Sequence, residues 1–247
     1  MSKSWIKNSG PGTLVAAAFI GPGTVTLCTL AGVNFGFHLL WAMLLSIVAT
    51  IVLQEMAARL GIISQKGLSE VIKSEIKNPF INKFMMLLIL SAIVVGNASY
   101  EAGNISGGIL GLETIVGELR VNIGHYSLNI LSLVLGVIAF TLLYIGNYKF
   151  LERVLVTLVL IMSISFLITA FLTKPDILGI LKGALVPSVP EGSLLTIIGL
   201  IGTTVVPYNL FLHASLVKEK WSDQKDLKAV RKDTIISIVL GGLVSMA

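Results

Sequence analysis

The residues with chemical capacity in this chain lie inside apolar runs. Glu101 falls in the middle of a run over residues 84–112, close to Asn97, Ser99, Tyr100 and Asn104. A carboxylate at that depth in hydrocarbon is costly. It persists where it lines a cavity as a proton or cation relay, or where its protonated form hydrogen-bonds a neighbouring helix. Two more clusters flank prolines. Gly21-Pro22-Gly23-Thr24 interrupts the run 14–30, and Thr203-Thr204-Val205-Val206-Pro207-Tyr208-Asn209, followed by His213, interrupts the run 194–216. Each proline removes a backbone donor and clashes with the preceding turn, so both runs read as helices broken near their middles. Freed carbonyls and amides need other protein or a polar cavity, and broken spans of this kind hold the substrate in many secondary transporters. The competing reading is a pair of kinks in packing helices. Around the breaks the side chains offer hydroxyl and amide groups without charge. Dehydrated manganese would be held weakly there unless Glu101 or an acid from outside the sequence reached it. A hydrated magnesium ion is accommodated more readily, and a neutral or zwitterionic solute at the half-helix ends is the other candidate.

The elements that position these residues are membrane spans. Hydrophobic residues make up 55% of the 247-residue chain and charged ones 13%, with a mean hydropathy of +0.91. That composition defines an all-α polytopic membrane protein. About 20 apolar residues of helix cross a bilayer core. Six crossings are expected, at 14–30, 37–57, 84–112, 127–145, 154–172 and 194–216, with the start of a seventh at 234–247 that is short for a crossing. Residues 64–82 mix Lys66, Glu70, Lys73, Glu75 and Lys77 with Leu68, Val71, Ile72 and Ile76, the pattern of an amphipathic surface helix, which Pro79 is expected to end. Glu55 and Arg59 are spaced to pair on one helix face.

Orientation follows from the basic residues. With six crossings, 15 of the 18 Lys and Arg fall on the side of the N-terminus, leaving Arg120, Lys174 and Lys182 opposite. This places the N-terminus and long basic loops in the cytoplasm and the protein in the inner or plasma membrane. Lys3 and Lys7 precede the first span without a small-residue cleavage site, so that span reads as uncleaved. Trp5, Trp41 and Trp221 sit near span ends, as interfacial indoles do. His38 and His125 read as external bystanders, and Tyr100 as either a gate or a packing aromatic. The single Cys28 implies no oxidising compartment. Zinc spacing, a phosphate-binding glycine loop and a nucleophilic triad are all missing from the sequence, so an enzyme is not expected. No nucleic-acid partner is indicated by basic residues scattered between spans.

From Gly10 onward the chain resembles the Nramp transporters, proton-coupled importers of manganese, iron and other divalent metals. Four stretches carry the likeness. They are Gly10-Pro11-Gly12 with the first break, Leu53-Gln54-Glu55-Met56-Ala57-Ala58-Arg59-Leu60-Gly61, Tyr148-Lys149-Phe150-Leu151-Glu152, and residues 202–213. The resemblance implies the five-plus-five inverted-repeat fold named after the bacterial leucine transporter. It also implies departures at the metal site. Gly21 stands where the family has a ligating Asp, Thr24 where it has Asn, Val206 where it has Met, and Tyr208 where it has His. Asn209 is retained. Thr203 matches an Ala whose carbonyl is a ligand, Glu101 matches an acid used in proton transfer, Asn104 replaces an acid one turn later, and His213 matches a second histidine.

The expected organisation is a first five-span repeat over 1–173, an external loop over 174–193, and the start of a second inverted repeat over 194–247. The fold therefore looks incomplete, and a separately encoded or missing C-terminal half is an expected partner besides the lipid bilayer. Three functions stand: a secondary-active transporter of divalent cations (Mn, Fe or Mg) with an atypical site, a transporter of a non-metal solute on the same fold, or a non-transporting partial protein. The expected substrate-binding residues are Gly21, Thr24, Thr203, Val206, Tyr208 and Asn209, and the expected relay residues Glu101, Asn104 and His213. No resident cofactor is expected, only a transported cation and a coupled proton.

Overall fold

Each expected break is present as a gap between two short helices. The computed structural model describes residues 11–123, 126–146, 148–221 and 223–247. Lys3, Trp5, Lys7, Gly10, His125 and Asn147, with the reading of an uncleaved start, lie outside the described residues. Helix α1 (Pro11–Phe19) is separated from α2 (Pro22–Phe35) by Ile20 and Gly21. Helix α9 (Leu194–Thr204) is separated from α10 (Pro207–Lys220) by Val205 and Val206. In both pairs the proline is the first residue of the second helix, where its fixed φ suits the first turn.

The remaining helices are α3 (Leu40–Ser64), α4 (Leu68–Glu75), α5 (Pro79–Val116), α6 (Ile130–Ile145), α7 (Tyr148–Leu172), α8 (Ile177–Leu185) and α11 (Leu227–Met246). Helix occupies most of each expected crossing, that at 127–145 starting only at Ile130. Among the described residues Pro22–Ser64, Pro79–Val116 and Leu194–Lys220 are long and apolar enough to cross alone, and Thr157–Leu172 with Ile177–Leu185 forms a pair bent by 117°. The 43-residue run Pro22–Ser64 is twice a crossing. It doubles back through a 3₁₀ turn, Gly36–Leu39, entered at Gly36 with φ +55°, which a side chain would strain.

One expectation is corrected here, and three segments take on structure that the sequence did not show. Pro79 does not end the surface helix. That helix stops at Glu75, and Pro79 opens α5, where the Asn78 side chain caps by accepting from the amides of Phe80 (3.0 Å) and Ile81 (3.3 Å). The connection after α5 is an antiparallel hairpin, β1 (Arg120–Ile123) with β2 (Tyr126–Asn129), in register Arg120 to Asn129. The segment 174–193 holds the nine-residue α8, capped by Asp176. The seventh span is a 20-residue helix, because its first two turns are the basic stretch from Leu227 onward.

Packing centres on the two broken helices. Ala16, Phe19, Ile20, Ile47, Val206 and Ile238 form one buried cluster. Ala31, Leu39, Ala42, Met43, Ile197 and Leu200 form a second, and Ala58, Ile62, Val217 and Val230 a third. Helix α11 lies along α1 because it presents glycine. A Cβ on Gly241 would come within 2.8 Å of the Phe19 ring, and one on Gly242 would collide with Ile47. At the other end of α1, the Gly12 amide donates to the Asp233 carboxylate at 2.8 Å, capping the helix from α11. Helix α5 buries none of its residues, and Leu87, Leu90, Val94 and Val95 face outward, a surface suited to lipid or further helices.

Charged pairs gather at the ends of α3, α4, α10 and α11. Glu55 pairs with Arg59 at 3.6 Å, as the spacing predicts, and with Arg231 at 2.6 Å. Lys218 reaches Glu70 at 3.1 Å and holds its carboxyl below the usual carboxylate range. A depressed folded pKa contributes stability above the unfolded value and loses it as the pH falls through the folded one. The protection of amides across Leu68–Glu75, relative to their intrinsic exchange rates, is therefore expected to fall below about pH 4. Lys218→Met should abolish that step, as hydrogen exchange read by mass spectrometry would show.

Candidate functional site

The site is built by two carbonyls that the helix breaks leave without helix partners. Thr203 lies four residues before Pro207, which has no amide hydrogen to return. Phe19 lies four residues before Gly23, whose amide points instead to Asn104 Oδ1 at 3.3 Å. Both carbonyls are claimed by hydroxyls. Thr24 Oγ1 donates to the Phe19 carbonyl at 2.6 Å, and the Tyr100 hydroxyl lies 2.7 Å from the Thr203 carbonyl and 3.2 Å from that of Phe19. The three hydroxyls also meet one another. Thr24 Oγ1 is 2.5 Å from Thr203 Oγ1 and 3.1 Å from the Tyr100 hydroxyl, which is 3.4 Å from Thr203 Oγ1. Three protons serve this cluster. One consistent assignment has Thr24 donating to Phe19, Tyr100 to the Thr203 carbonyl, and Thr203 to Thr24.

Around this knot the other expected residues take different positions. A Cβ built on Gly21 would collide with Asn104 Oδ1, so the Asn104 carboxamide fills the space that a side chain at position 21 would enter. Asn104 also caps α2 in trans, since Gly21 at its N-cap has no side chain to do so. Val206 adopts extended backbone and turns its side chain into the cluster of Ala16, Phe19 and Ile20, away from the hydroxyls. Tyr208 stands edge-on to Tyr100, ring centres 5.9 Å apart. Asn209 is fully buried, and neither its Nδ2 nor its Oδ1 has a partner. His213 is buried one turn beyond Asn209, its Nδ1 2.9 Å from Gln54 Oε1 and its Nε2 3.5 Å from Thr234 Oγ1. Glu101 follows Tyr100 on α5 with its side chain exposed.

The structure thus brings together Gly21, Thr24, Thr203, Tyr208 and Asn104. Glu101 and His213 do not hydrogen-bond the hydroxyl cluster. Tyr100, read from the sequence as either a gate or a packing aromatic, bridges the two breaks, and Thr50 and Gln54 were not singled out as site residues in the sequence. The signal for Tyr100 was its hydroxyl-tipped ring between Gly96 and Gly103 in a span, and for Thr50 and Gln54 a polar pair one helical turn apart. Thr50 Oγ1, like the Asn209 amide, is buried without a partner. Among the described residues no group of three or more His, Cys, Asp or Glu is placed to hold a metal ion. The donors at the breaks are neutral oxygens.

A helical membrane protein with two proline-broken spans meeting at a shared oxygen cluster has the fold of solved membrane transporters. The manganese transporter of Eremococcus coleocola, crystallised with an aromatic bis-isothiourea compound, superposes with a TM-score of 0.68 at 24% identity, over all of this chain and 52% of that one. The family profile described as natural resistance-associated macrophage protein-like matches residues 12–247, and the chain belongs to the Nramp family. Relatives include the divalent metal cation transporter MntH of Chromohalobacter salexigens, 26% identical over 99% of this chain and 56% of that protein. Natural resistance-associated macrophage protein 1 of Bison bison is 30% identical over 94% of this chain and 41% of that protein. The chain spans about half the length of the relatives it matches. Nramp proteins are transporters, not enzymes.

The hydroxyl accounting has a direct consequence. Thr24→Val keeps the shape but leaves the Phe19 carbonyl with only the longer Tyr100 contact, and is expected to lower stability by about 1–3 kcal/mol. Thr141→Val, which removes an exposed hydroxyl bonded within its own helix, should stay within about 0.5 kcal/mol of the parent. Melting of both variants in detergent measures the difference.

Proposed function

We propose that this chain forms the substrate-bearing part of a secondary-active Nramp-type transporter that moves a divalent cation through an atypical, uncharged oxygen site. The observation that carries the reading is the convergence of two carbonyls freed at the breaks, Phe19 and Thr203, with the hydroxyls of Thr24 and Thr203. Such donors are hard and neutral. They suit a magnesium or manganese ion that keeps part of its water shell, since a fully dehydrated ion would lack compensating charge. Sulfur, which would favour soft transition metals, is not provided at Val206. The second helix break supplies the buried Asn209 amide as a further polar group beside the path.

In this reading the coupled proton uses Glu101, Asn104 and His213. His213 is held by Gln54 and Thr234, which fixes its ring for one tautomer. The N-terminus and basic loops face the cytoplasm of an inner or plasma membrane. The remaining spans, which relatives of twice the length carry, cover the outward faces of α5 and α6. A second reading, a neutral or zwitterionic solute, is favoured by one observation: Asn104 fills the space at Gly21 that an anionic ligand would need.

The test is uptake into liposomes holding the complete protein, with an inward proton gradient and empty liposomes as the control. Saturable magnesium or manganese uptake is expected, and loss of both ions from folded protein would remove the cation reading. Gly21→Asp alone should collide with Asn104. Combined with Asn104→Ala it supplies an acid with room to sit, and manganese uptake relative to magnesium should rise on the order of tenfold, one step of about 1.4 kcal/mol.

A further inference from the structure

We propose that the Tyr100 hydroxyl is the cargo's built-in competitor. It occupies the acceptor oxygens that an ion between the two breaks would use, so cargo binds by displacing the phenol. The inference rests on the cation reading above and names the residue that sets its selectivity and affinity.

The geometry places one phenol oxygen among three oxygens from both breaks, the Thr203 carbonyl at 2.7 Å, Thr24 Oγ1 at 3.1 Å and the Phe19 carbonyl at 3.2 Å. A hydroxyl carries a single proton, so it can donate to only one of them at a time. The cluster therefore has more lone pairs than protons. A cation at the phenol's position would be drawn to every one of those oxygens at once. The phenol is the weaker tenant of a position shaped like a ligand shell.

Departure of the phenol cannot leave the position empty at no cost. Pro207 denies the Thr203 carbonyl a helix partner, and a buried carbonyl without one is expensive. Exchange for a cation is thus a swap, in which the ion takes over contacts that the hydroxyl gives up. The ring packs on one side against the cluster of Ala16, Phe19, Ile20, Ile47, Val206 and Ile238, and is open on the side of its own helix. Two of its same-face neighbours on α5, Gly96 and Gly103, have nothing within 4 Å of an added Cβ. Tyr208 offers only an edge contact at 5.9 Å between ring centres. By contrast Asn104, one turn on, is anchored to the Gly23 amide and stays with the scaffold.

Tyr100→Phe tests this, because it keeps the ring and removes the oxygen. Melting of the purified protein is followed against magnesium chloride and manganese chloride, with choline chloride matching ionic strength, and Tyr144→Phe, on the exposed surface of α6, serves as the aromatic control. In cation-free buffer Tyr100→Phe is expected to melt below the parent. Added magnesium should restore it at a concentration at least tenfold lower than the parent needs for a comparable shift. Tyr144→Phe should follow the parent. Tyr100→Thr, too short to reach across, carries the same expectation should the Phe variant fail to give monodisperse protein. Equal melting of the variants and parent in all buffers would overturn the proposal. So would a lower melting point that no cation restores, since that marks a purely structural bond. Uptake assays read separately: wild-type protein that transports neither ion removes the transport reading, while the melting comparison still decides what Tyr100 does.

Discussion

The site in this structure answers to two breaks in helices. Pro22 and Pro207 interrupt helices where the surroundings are hydrocarbon, and the backbone groups they strand must find partners inside the protein. One polar atom after another is spent on that obligation. Asn104 reaches from α5 to the Gly23 amide, Thr24 folds back onto Phe19, and Tyr100 spans from α5 to Thr203. The breaks are therefore joined to each other through α5, and the oxygen cluster is a consequence of backbone satisfaction before it is a binding site.

Close packing makes that arrangement possible. Helix α11 comes against α1 and α3 only because Gly241 and Gly242 leave no side chain to hold it off. Gly107 lets α5 approach the Pro22 carbonyl, where a Cβ would lie at 2.6 Å. The Asp233 carboxylate on the Gly12 amide fixes the far end of α1, so the first half-helix is held at both ends while its middle rests on apolar side chains.

Much of this was legible in the sequence, for physical reasons. A proline between glycines in an apolar run has few other meanings, and both breaks fall at the expected residues. The Glu55–Arg59 pair follows from helical spacing, and the surface helix from its alternation of lysine with isoleucine and leucine. Other features depend on partners distant in the chain. That Asn104 fills the space at Gly21 requires knowing that α5 crosses α2 there, across 83 positions of sequence. Tyr100 has no local mark that separates a packing ring from a bridging one. Pro79 was ambiguous because proline stops one helix and starts another equally well, and Asn78 before it decides the matter as a cap. The hairpin at Arg120–Ile123 and Tyr126–Asn129 consists of two four-residue strands, too short to show an alternating pattern.

The central claim is that neutral oxygens at the two breaks hold a cation without stripping it of water. Manganese bound to the reconstituted protein reports its own ligand shell, since electron–nuclear double resonance detects the protons of coordinated water and the nitrogen of imidazole. The account predicts a bound ion with oxygen ligands only and several exchangeable water protons in its inner shell. A water-free shell, or one containing nitrogen, would contradict it.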